Sequence, residues 1–329
     1  MNSPTPPAST ANNSHRADFL LVLVTLLAAI SWIFSKEAVL LMPALLFLSL
    51  RFFLAGLLLS LLGLRAFRKL TAEQLFQAVR VGLFFGAGMT CWIMGLRFGS
   101  HVGVGAFLTS LGVVLVPIFA RLFFRETPPA STWAALPVAV LGLALLAMSG
   151  TDVEGAAQHS FDAGQLFYVG AACIFAIYFT LNMRAANHHA RIDTQGNTVI
   201  RERIPATVLT AIVLLTVGCI TGLLSFIFEP WRPTFSHFTG EIALWIALSA
   251  VVGSAARFLI QTYAQSLATN SHGVVIMVVE PVWTAILAAM WFGETMNGVQ
   301  LAGCLFIFAA LLISRGKALR QAMKAWLTR

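Results

Sequence analysis

The chain has 329 residues, of which 58% are hydrophobic and only 10% charged, and its mean hydropathy is +0.84. Soluble domains carry roughly 25% charged residues, so the composition excludes an ordinary soluble protein and indicates a chain that lies mostly in lipid. The formal net charge is +8. In a membrane protein such an excess reflects how charge is distributed among the loops, and we predict no nucleic-acid partner.

Apolar segments of about 20 residues, the length that crosses a bilayer as a helix, recur through the chain. We predict an all-α integral membrane protein with ten transmembrane helices, at 18–36, 41–62, 78–97, 102–124, 131–149, 164–186, 205–228, 242–264, 271–292 and 297–314. The predicted domains are a disordered cytoplasmic tail, two five-helix repeats and a basic cytoplasmic tail, at 1–17, 18–149, 164–314 and 315–329.

The distribution of Lys and Arg predicts the orientation. If the N-terminus is cytoplasmic, 16 of the 21 Lys and Arg fall in cytoplasmic segments, as the positive-inside rule requires. We therefore predict cytoplasmic N- and C-termini, in the cytoplasmic (inner) or plasma membrane. Because each half has five spans, an odd number, the second half enters the bilayer in the opposite orientation to the first. Glu126-Thr127 and Glu294-Thr295, which follow the fourth and ninth spans, fall on opposite sides, as inverted repeats demand.

Three charged residues lie deep within predicted spans, namely Arg51, Arg257 and Glu280. A charge at the bilayer centre costs roughly 3 kcal/mol on insertion scales, so such residues face a bundle interior or a water-filled cavity. At 1.5 Å per residue, Arg257 and Glu280 differ in depth by roughly 3 Å in adjacent antiparallel spans, so we expect them to pair. Gln261 shares the face of Arg257.

Two interpretations of this pair stay open. Glu280 carries a proton or contacts the substrate, or the pair only fixes helix packing. Arg51 likewise binds an anionic substrate or neighbouring helix carbonyls. The further candidates for binding or coupling are aromatic or polar residues near these depths: Trp283, Thr284, Trp32, Lys36, Trp92 and Tyr178. Lys36 alternatively extends to the outer surface, and the aromatic residues alternatively anchor span ends at the interface.

Two prolines predict helix kinks. Pro281 in the ninth span and Pro117 in the fourth each remove a backbone hydrogen bond, which membrane helices tolerate where the backbone lines a cavity. The four cysteines lie in apolar runs without a CxxC pair, so we predict no metal site and no cofactor. The sequence leaves open whether the chain forms a homodimer.

The segment "QTYAQSLATNSHGVVIMVVEPVWTAILAAMWFGET" resembles the second-repeat pattern of the drug/metabolite transporter superfamily, in its ten-helix EamA-like branch. "GAFLTSLGVVLVPIFARLFFRE", "SWIFSKEAV" and "LSLRFFLAG" are similar to the fourth, first and second helices of that family. The resemblance implies two inverted five-helix repeats and alternating-access transport of small metabolites or drugs, often export. It also implies that Arg51, Glu280 and Pro281 occupy familiar polar or helix-breaking positions.

We therefore predict a secondary transporter that exports a small organic metabolite or drug, with proton exchange, from a site between the repeats. The alternatives are a membrane-embedded enzyme and a channel acting on a small polar or lipid-linked substrate. The sequence carries no HExxH, GxSxG or Walker A motif, which disfavours an enzyme and transport driven by ATP.

Overall fold

The structure is a computed structural model that describes residues 8–124, 130–148, 162–186, 189–192, 198–201, 204–267, 279–314 and 316. The helices within these ranges are α1 (Ala8–Leu41), α2 (Ala44–Leu62), α3 (Leu64–Phe67), α4 (Ala72–Phe98), α5 (Val102–Phe124), α6 (Ala130–Met148), α7 (Ala163–Ala186), α8 (Ala206–Phe228), α9 (Trp231–Ser236), α10 (Gly240–Ala250), a π-helical segment (Val251–Ala256), α11 (Arg257–Leu267), α12 (Glu280–Phe292) and α13 (Gly298–Ser314).

The described helices confirm a predominantly α-helical membrane protein. Seven helical stretches within the described residues are long and apolar enough to cross a bilayer. One of them, Gly240–Gln261, is formed by α10, the π-helical segment and part of α11 together. Two shorter apolar stretches are Trp133–Leu146 and Gly298–Ser314. Their outward faces carry large exposed apolar side chains, such as Phe226, Phe228 and Met290, which are 67%, 73% and 79% exposed. Because such a surface is unfavourable in water, it is the surface that meets lipid.

The ends of several helices differ from the predicted spans for local reasons. α1 is described from Ala8 onward, so helix occupies part of the tail predicted as disordered. α4 begins at Ala72 because Thr71 and Gln74 form a capping box, each side chain bonding the other's backbone N–H. The predicted start of the ninth span, 271–278, lies outside the described residues.

A short β-hairpin lies in the predicted connection at 187–204. Strand β1 (His189–Ile192) pairs antiparallel with β2 (Thr198–Arg201), with His189 opposite Arg201 and Ile192 opposite Thr198. The run Thr198-Val199-Ile200 is β-branched throughout, which favours extended backbone. The prediction of helices alone omitted this element.

Carboxylates join helix ends from the two halves of the chain. Glu229, which ends α8, accepts hydrogen bonds from two backbone N–H groups in the first turn of α2, both at 3.0 Å. Glu294, just after α12, accepts from the first two N–H groups of α5 at 2.9 and 3.2 Å. These N–H groups have no partner within their own helix. In both pairs the end of one helix lies beside the start of the other, so the helices run antiparallel.

The antiparallel pair α6 and α13 meets at glycines. A Cβ at Gly142 would lie 2.8 Å from the Gly303 carbonyl oxygen, and a Cβ at Gly303 would lie 3.0 Å from the Gly142 oxygen. The Ser131 hydroxyl at the start of α6 donates to the Ser314 carbonyl at the end of α13. Small residues let these backbones approach closely, as is common between membrane helices.

This close approach predicts opposite effects of two glycine substitutions. We expect Gly142→Ala to lower the free energy of unfolding by about 1–3 kcal/mol, because the new methyl group meets backbone that cannot move away easily. Gly170→Ala in α7 is the matched control, since nothing lies within 4 Å of its Cβ and alanine favours helix. Thermal unfolding in detergent measures both. Equal effects of the two substitutions would contradict the packing argument.

Candidate functional site

A cavity of about 220 Å³ lies within the bundle, more than ten times the ~15 Å³ that one water molecule needs. It is bounded by helices from both halves of the chain, so neither half encloses it alone. Its lining residues are Ala28, Ser31, Trp32, Arg51, Phe52, Phe85, Met89, Trp92, Ala106, Thr109, Ser110, Val113, Val116, Phe175, Tyr178, Phe179, Asn182, Arg257, Phe258, Gln261, Glu280 and Pro281.

An ion pair forms part of the cavity wall. Arg257 Nη2 donates to Glu280 Oε2 at 3.3 Å, and their side chains are 18% and 20% exposed. The pairing matches the depth comparison made from the sequence. A single contact of this length is weaker than the bidentate geometry that arginine and carboxylate often adopt, so the pair is loosely held.

Two buried polar atoms at this pair have no hydrogen-bond partner among the residues that the structure describes. They are Arg257 Nε and Gln261 Oε1. Both residues lie on α11 and line the cavity. A buried polar atom without a partner costs free energy, so an occupant that supplied hydrogen bonds here would gain affinity.

Arg51 is held quite differently from Arg257. Its Nε, Nη1 and Nη2 donate to the hydroxyls of Ser254, Ser35 and Ser31, each at 2.6 Å. Nη2 also donates to the Gly253 carbonyl at 3.0 Å. Arg51 is only 1% exposed, and hydrogen bonds to it come from α1 and from the π-helical segment. These four bonds fix the orientation of the guanidinium.

The π-helical segment is the local structure that makes this contact possible. The eighth span was predicted as one helix at 242–264, yet Val251–Ala256 is wound with i→i+5 hydrogen bonding. Such turns interrupt regular helices and are frequent at functional sites. Here the segment carries Gly253 and Ser254, and a Cβ at Gly253 would lie 2.7 Å from Ser31 Oγ. Only glycine allows this approach.

Aromatic rings form much of the remaining wall. Trp32 and Trp92 meet edge to face with centroids 4.8 Å apart, and the Phe85 ring stacks on Tyr178 at 4.3 Å. Phe52 and Phe258 lie 6.4 Å apart. The rings provide a large apolar surface beside the charged groups.

Several predicted site residues lie away from the cavity lining. Lys36 Nζ donates to the Leu96 and Gly99 carbonyls at 2.9 and 3.2 Å, which caps the end of α4. Thr284 is buried, and its hydroxyl donates to the Glu280 carbonyl at 3.0 Å. Trp283 lies one residue before it on α12 and does not line the cavity.

The two prolines predicted to kink helices occupy different positions. Pro117 lies inside α5, away from the cavity lining. Pro281 lines the cavity but lies in the first turn of α12, where no intrahelical hydrogen bond to its nitrogen is required. The residues before Val279 on that side, 268–278, lie outside the described residues.

Several residues that line the cavity were not predicted from the sequence as site residues. Thr109, Ser110 and Asn182 are polar side chains within apolar spans, and that pattern alone could have identified them. Phe85 and Phe258 had no comparable signal, because phenylalanine occurs equally on the lipid-facing surface. Ser31 could have been identified only together with Arg51, because its hydroxyl accepts a hydrogen bond from the Arg51 guanidinium.

Apolar helices around a charged cavity define a multi-pass membrane protein of the transport class. The chain belongs to the EamA-like transporter family, whose model matches residues 15–148 and 162–316. This confirms the resemblance to the drug/metabolite transporter superfamily, and it identifies a transporter rather than an enzyme.

Individual proteins are also similar to this chain. Two threonine/homoserine exporters named RhtA, from Salmonella typhimurium strains SL1344 and LT2, are each 25% identical over 232 residues, which cover 69% of this chain and 68% of theirs. One crystal structure superimposes with a TM-score of 0.59 at 17% identity, covering 94% of this chain and 99% of its own. That likeness shows the shared fold.

The loose ion pair yields a prediction about stability. We expect Arg257→Gln to lower the free energy of unfolding by about 1–3 kcal/mol, because it leaves the Glu280 carboxylate without its cation. The double variant Arg257→Gln/Glu280→Gln should recover most of this loss, since neither charge then remains unpaired. Thermal unfolding of the wild type, both single variants and the double variant measures the coupling. A double variant no more stable than Arg257→Gln would contradict it.

Proposed function

We propose that the protein is a secondary transporter that exports a small organic metabolite by alternating access, with proton coupling. The observation that carries this proposal is the Arg257–Glu280 pair in the wall of a cavity bounded by both halves of the chain. Ionisable residues within a membrane bundle are costly, and where they occur they commonly mark binding sites or proton pathways. The family membership supports the transport class.

The proposed architecture has ten spans as two inverted five-helix repeats. The first would comprise α1, α2, α4, α5 and α6, and the second α7, α8, the α10–α11 helix, α12 and α13. The two separate family matches support this division. The antiparallel contacts of α2 with α8, α5 with α12 and α6 with α13 support the inversion, because each joins a helix to its counterpart in the other repeat.

The other helix contacts occur in matched sets, as a two-fold relation between the repeats requires. In the proposed repeats, α1 corresponds to α7, α4 to the α10–α11 helix, and α5 to α12. The contact of α4 with α7 therefore has its counterpart in the contact of α1 with α10 and α11, and the contact of α5 with α7 has its counterpart in the contact of α1 with α12. Relative movement of two such repeats around a central cavity is the usual basis of alternating access.

We assign coupling to Glu280, direct substrate contacts to Arg257, Gln261, Trp32, Trp92 and Tyr178, and to Arg51 a fixed positive charge that acts on the substrate without contacting it. A substrate that contacts Arg257 competes with Glu280 for the one described hydrogen bond between them, so binding frees the carboxylate to exchange partners. Thr284 supports the first turn of α12 through its hydrogen bond to the Glu280 carbonyl.

The proposed location is the cytoplasmic (inner) or plasma membrane, with both termini cytoplasmic. The bias of Lys and Arg supports this orientation. The similar proteins are threonine/homoserine exporters, which supports outward transport of a small metabolite. At 25% identity this similarity does not assign their substrates to the present chain.

We expect Glu280→Gln to abolish gradient-driven flux while membrane insertion remains intact, because glutamine has a similar shape but does not titrate. Flux in reconstituted vesicles with an imposed proton gradient measures this. Glu241→Gln, at an exposed carboxylate in the first turn of α10, is the control and should retain full flux. Unchanged flux in Glu280→Gln would reject the coupling role.

Labelling of single cysteines tests the orientation. In a background without the four native cysteines, we expect cysteines at Ser100 and Ser236 to react with an impermeant maleimide from outside intact cells. A cysteine at Lys69 should react only after the membrane is opened, because the bend after α3 lies on the cytoplasmic side of the proposed topology. The opposite pattern would reverse the topology, and labelling of all three from outside would reject it.

A further inference from the structure

The charged lining of the cavity does not balance. Among the described lining residues, the charge-bearing residue types are two arginines, Arg51 and Arg257, and one glutamate, Glu280. Two guanidinium groups against one carboxylate leave one positive charge in excess. Charge within a membrane bundle is weakly screened, so this excess attracts an anion into the cavity.

The excess charge cannot be neutralised by the groups that hold Arg51. Its described side-chain partners are the hydroxyls of Ser31, Ser35 and Ser254, and its fourth partner is a backbone carbonyl. These groups accept hydrogen bonds but carry no negative charge. Arg51 is therefore a fixed source of positive potential beside the cavity.

Arg257 is the arginine that can contact an occupant. It makes one hydrogen bond of 3.3 Å to Glu280, and its buried Nε has no partner among the described residues. The Nε and Nη2 of an arginine form one edge with parallel donors, the geometry that binds a carboxylate bidentately, so a carboxylate on this edge of Arg257 competes with Glu280 for Nη2. A carboxylate on this edge would satisfy the unpaired Nε.

The rest of the cavity suits an apolar body of ring size. Phe85 is the centre of the aromatic wall, with Tyr178, Phe258, Phe175 and Phe52 at centroid distances of 4.3, 5.6, 5.8 and 5.9 Å. Rings at such distances form favourable edge and stacked contacts with a further ring.

Thr109 and Ser110 are not free to donate to an occupant. Their hydroxyls donate to carbonyls of their own helix at 2.8 and 2.6 Å, so their single donors are used. The donors that can orient an occupant therefore lie elsewhere in the wall, Arg257 among them.

We propose that the cavity binds a monocarboxylate with an aromatic or similarly sized apolar body, the carboxylate on Arg257 and the body on the Phe85 wall. One negative charge matches the excess of one positive charge. A phosphate monoester carries nearly two negative charges, and an ammonium group would restore the excess. The inference rests on the proposed transport function, because it names the substrate class of that same site.

Ligands that differ in one group test the charge requirement. The probes are 3-phenylpropionate, its neutral amide 3-phenylpropanamide, phenylalanine and 2-phenylethylamine, measured by calorimetry on the purified full chain in detergent. We expect 3-phenylpropionate to bind at least about tenfold more tightly than the other three, as a charge-assisted hydrogen bond predicts. Equal binding of the amide would overturn the anion requirement. Equal or tighter binding of phenylalanine would identify a zwitterion site instead.

Variants of the chain test the assigned contacts. We expect the double variant Arg257→Gln/Glu280→Gln, which leaves neither charge unpaired, to bind 3-phenylpropionate at least about tenfold more weakly and to bind the amide as the wild type does. Glu280→Gln alone should bind 3-phenylpropionate more tightly, because the competing carboxylate is gone. Phe85→Ala should weaken both ligands. Thermal unfolding confirms folding of each variant, and unchanged 3-phenylpropionate binding in the double variant would overturn the role of Arg257.

Binding and flux separate this inference from the proposed function. Selective binding of 3-phenylpropionate without gradient-driven flux of it would reject the transport cycle and retain the ligand class. If charged and neutral probes showed equal gradient-driven flux, the proposed transport function would stand and the proposed monocarboxylate ligand class would be rejected.

Discussion

The structure depends on how a guanidinium is accommodated inside a bundle without bulk water. Arg51 achieves this with four hydrogen bonds to α1 and to the π-helical segment. An arginine at this depth without partners would cost several kcal/mol. The requirement explains three local features at once, namely serines on one face of α1, the π winding at Val251–Ala256 and a glycine at 253.

The two arginines of the cavity divide the electrostatic roles. The Arg51 guanidinium is held in one orientation, because serine hydroxyls of α1 and of the π-helical segment accept its hydrogen bonds. Its contact with the Phe52 ring, at 5.2 Å, adds a further constraint. Arg257 lies over Phe258 at 5.0 Å and has one carboxylate contact. A fixed charge sets the potential of the cavity, whereas a loosely held one can exchange partners.

The sequence predicted the features that depend on the rarity of charge in lipid. Arg257 and Glu280 were identifiable because few charges occur in apolar spans, and their depths followed from the helical rise alone. The π-helical segment was not identifiable, because "VVGSAA" is compatible with regular helix and only the contact with Arg51 favours the wider turn. Similarly, Phe85 is 4% exposed and Phe226 is 67% exposed, yet both are phenylalanines in apolar surroundings, so composition did not distinguish cavity from lipid.

The polar contacts between the halves also constrain how the proposed cycle can proceed. Glu229 and Glu294 join the halves at the ends where α2 and α5 begin, and in the proposed topology both lie on the outer side. Trp32, at the depth of Arg51, contacts Trp92 and Tyr168 with ring centroids 4.8 and 5.8 Å apart. Opening the cavity outward therefore requires these carboxylates to leave N–H groups that have no other helical partner. Water can replace them at the membrane surface but not in its interior, so the barrier to opening is lowest if the outer ends separate first.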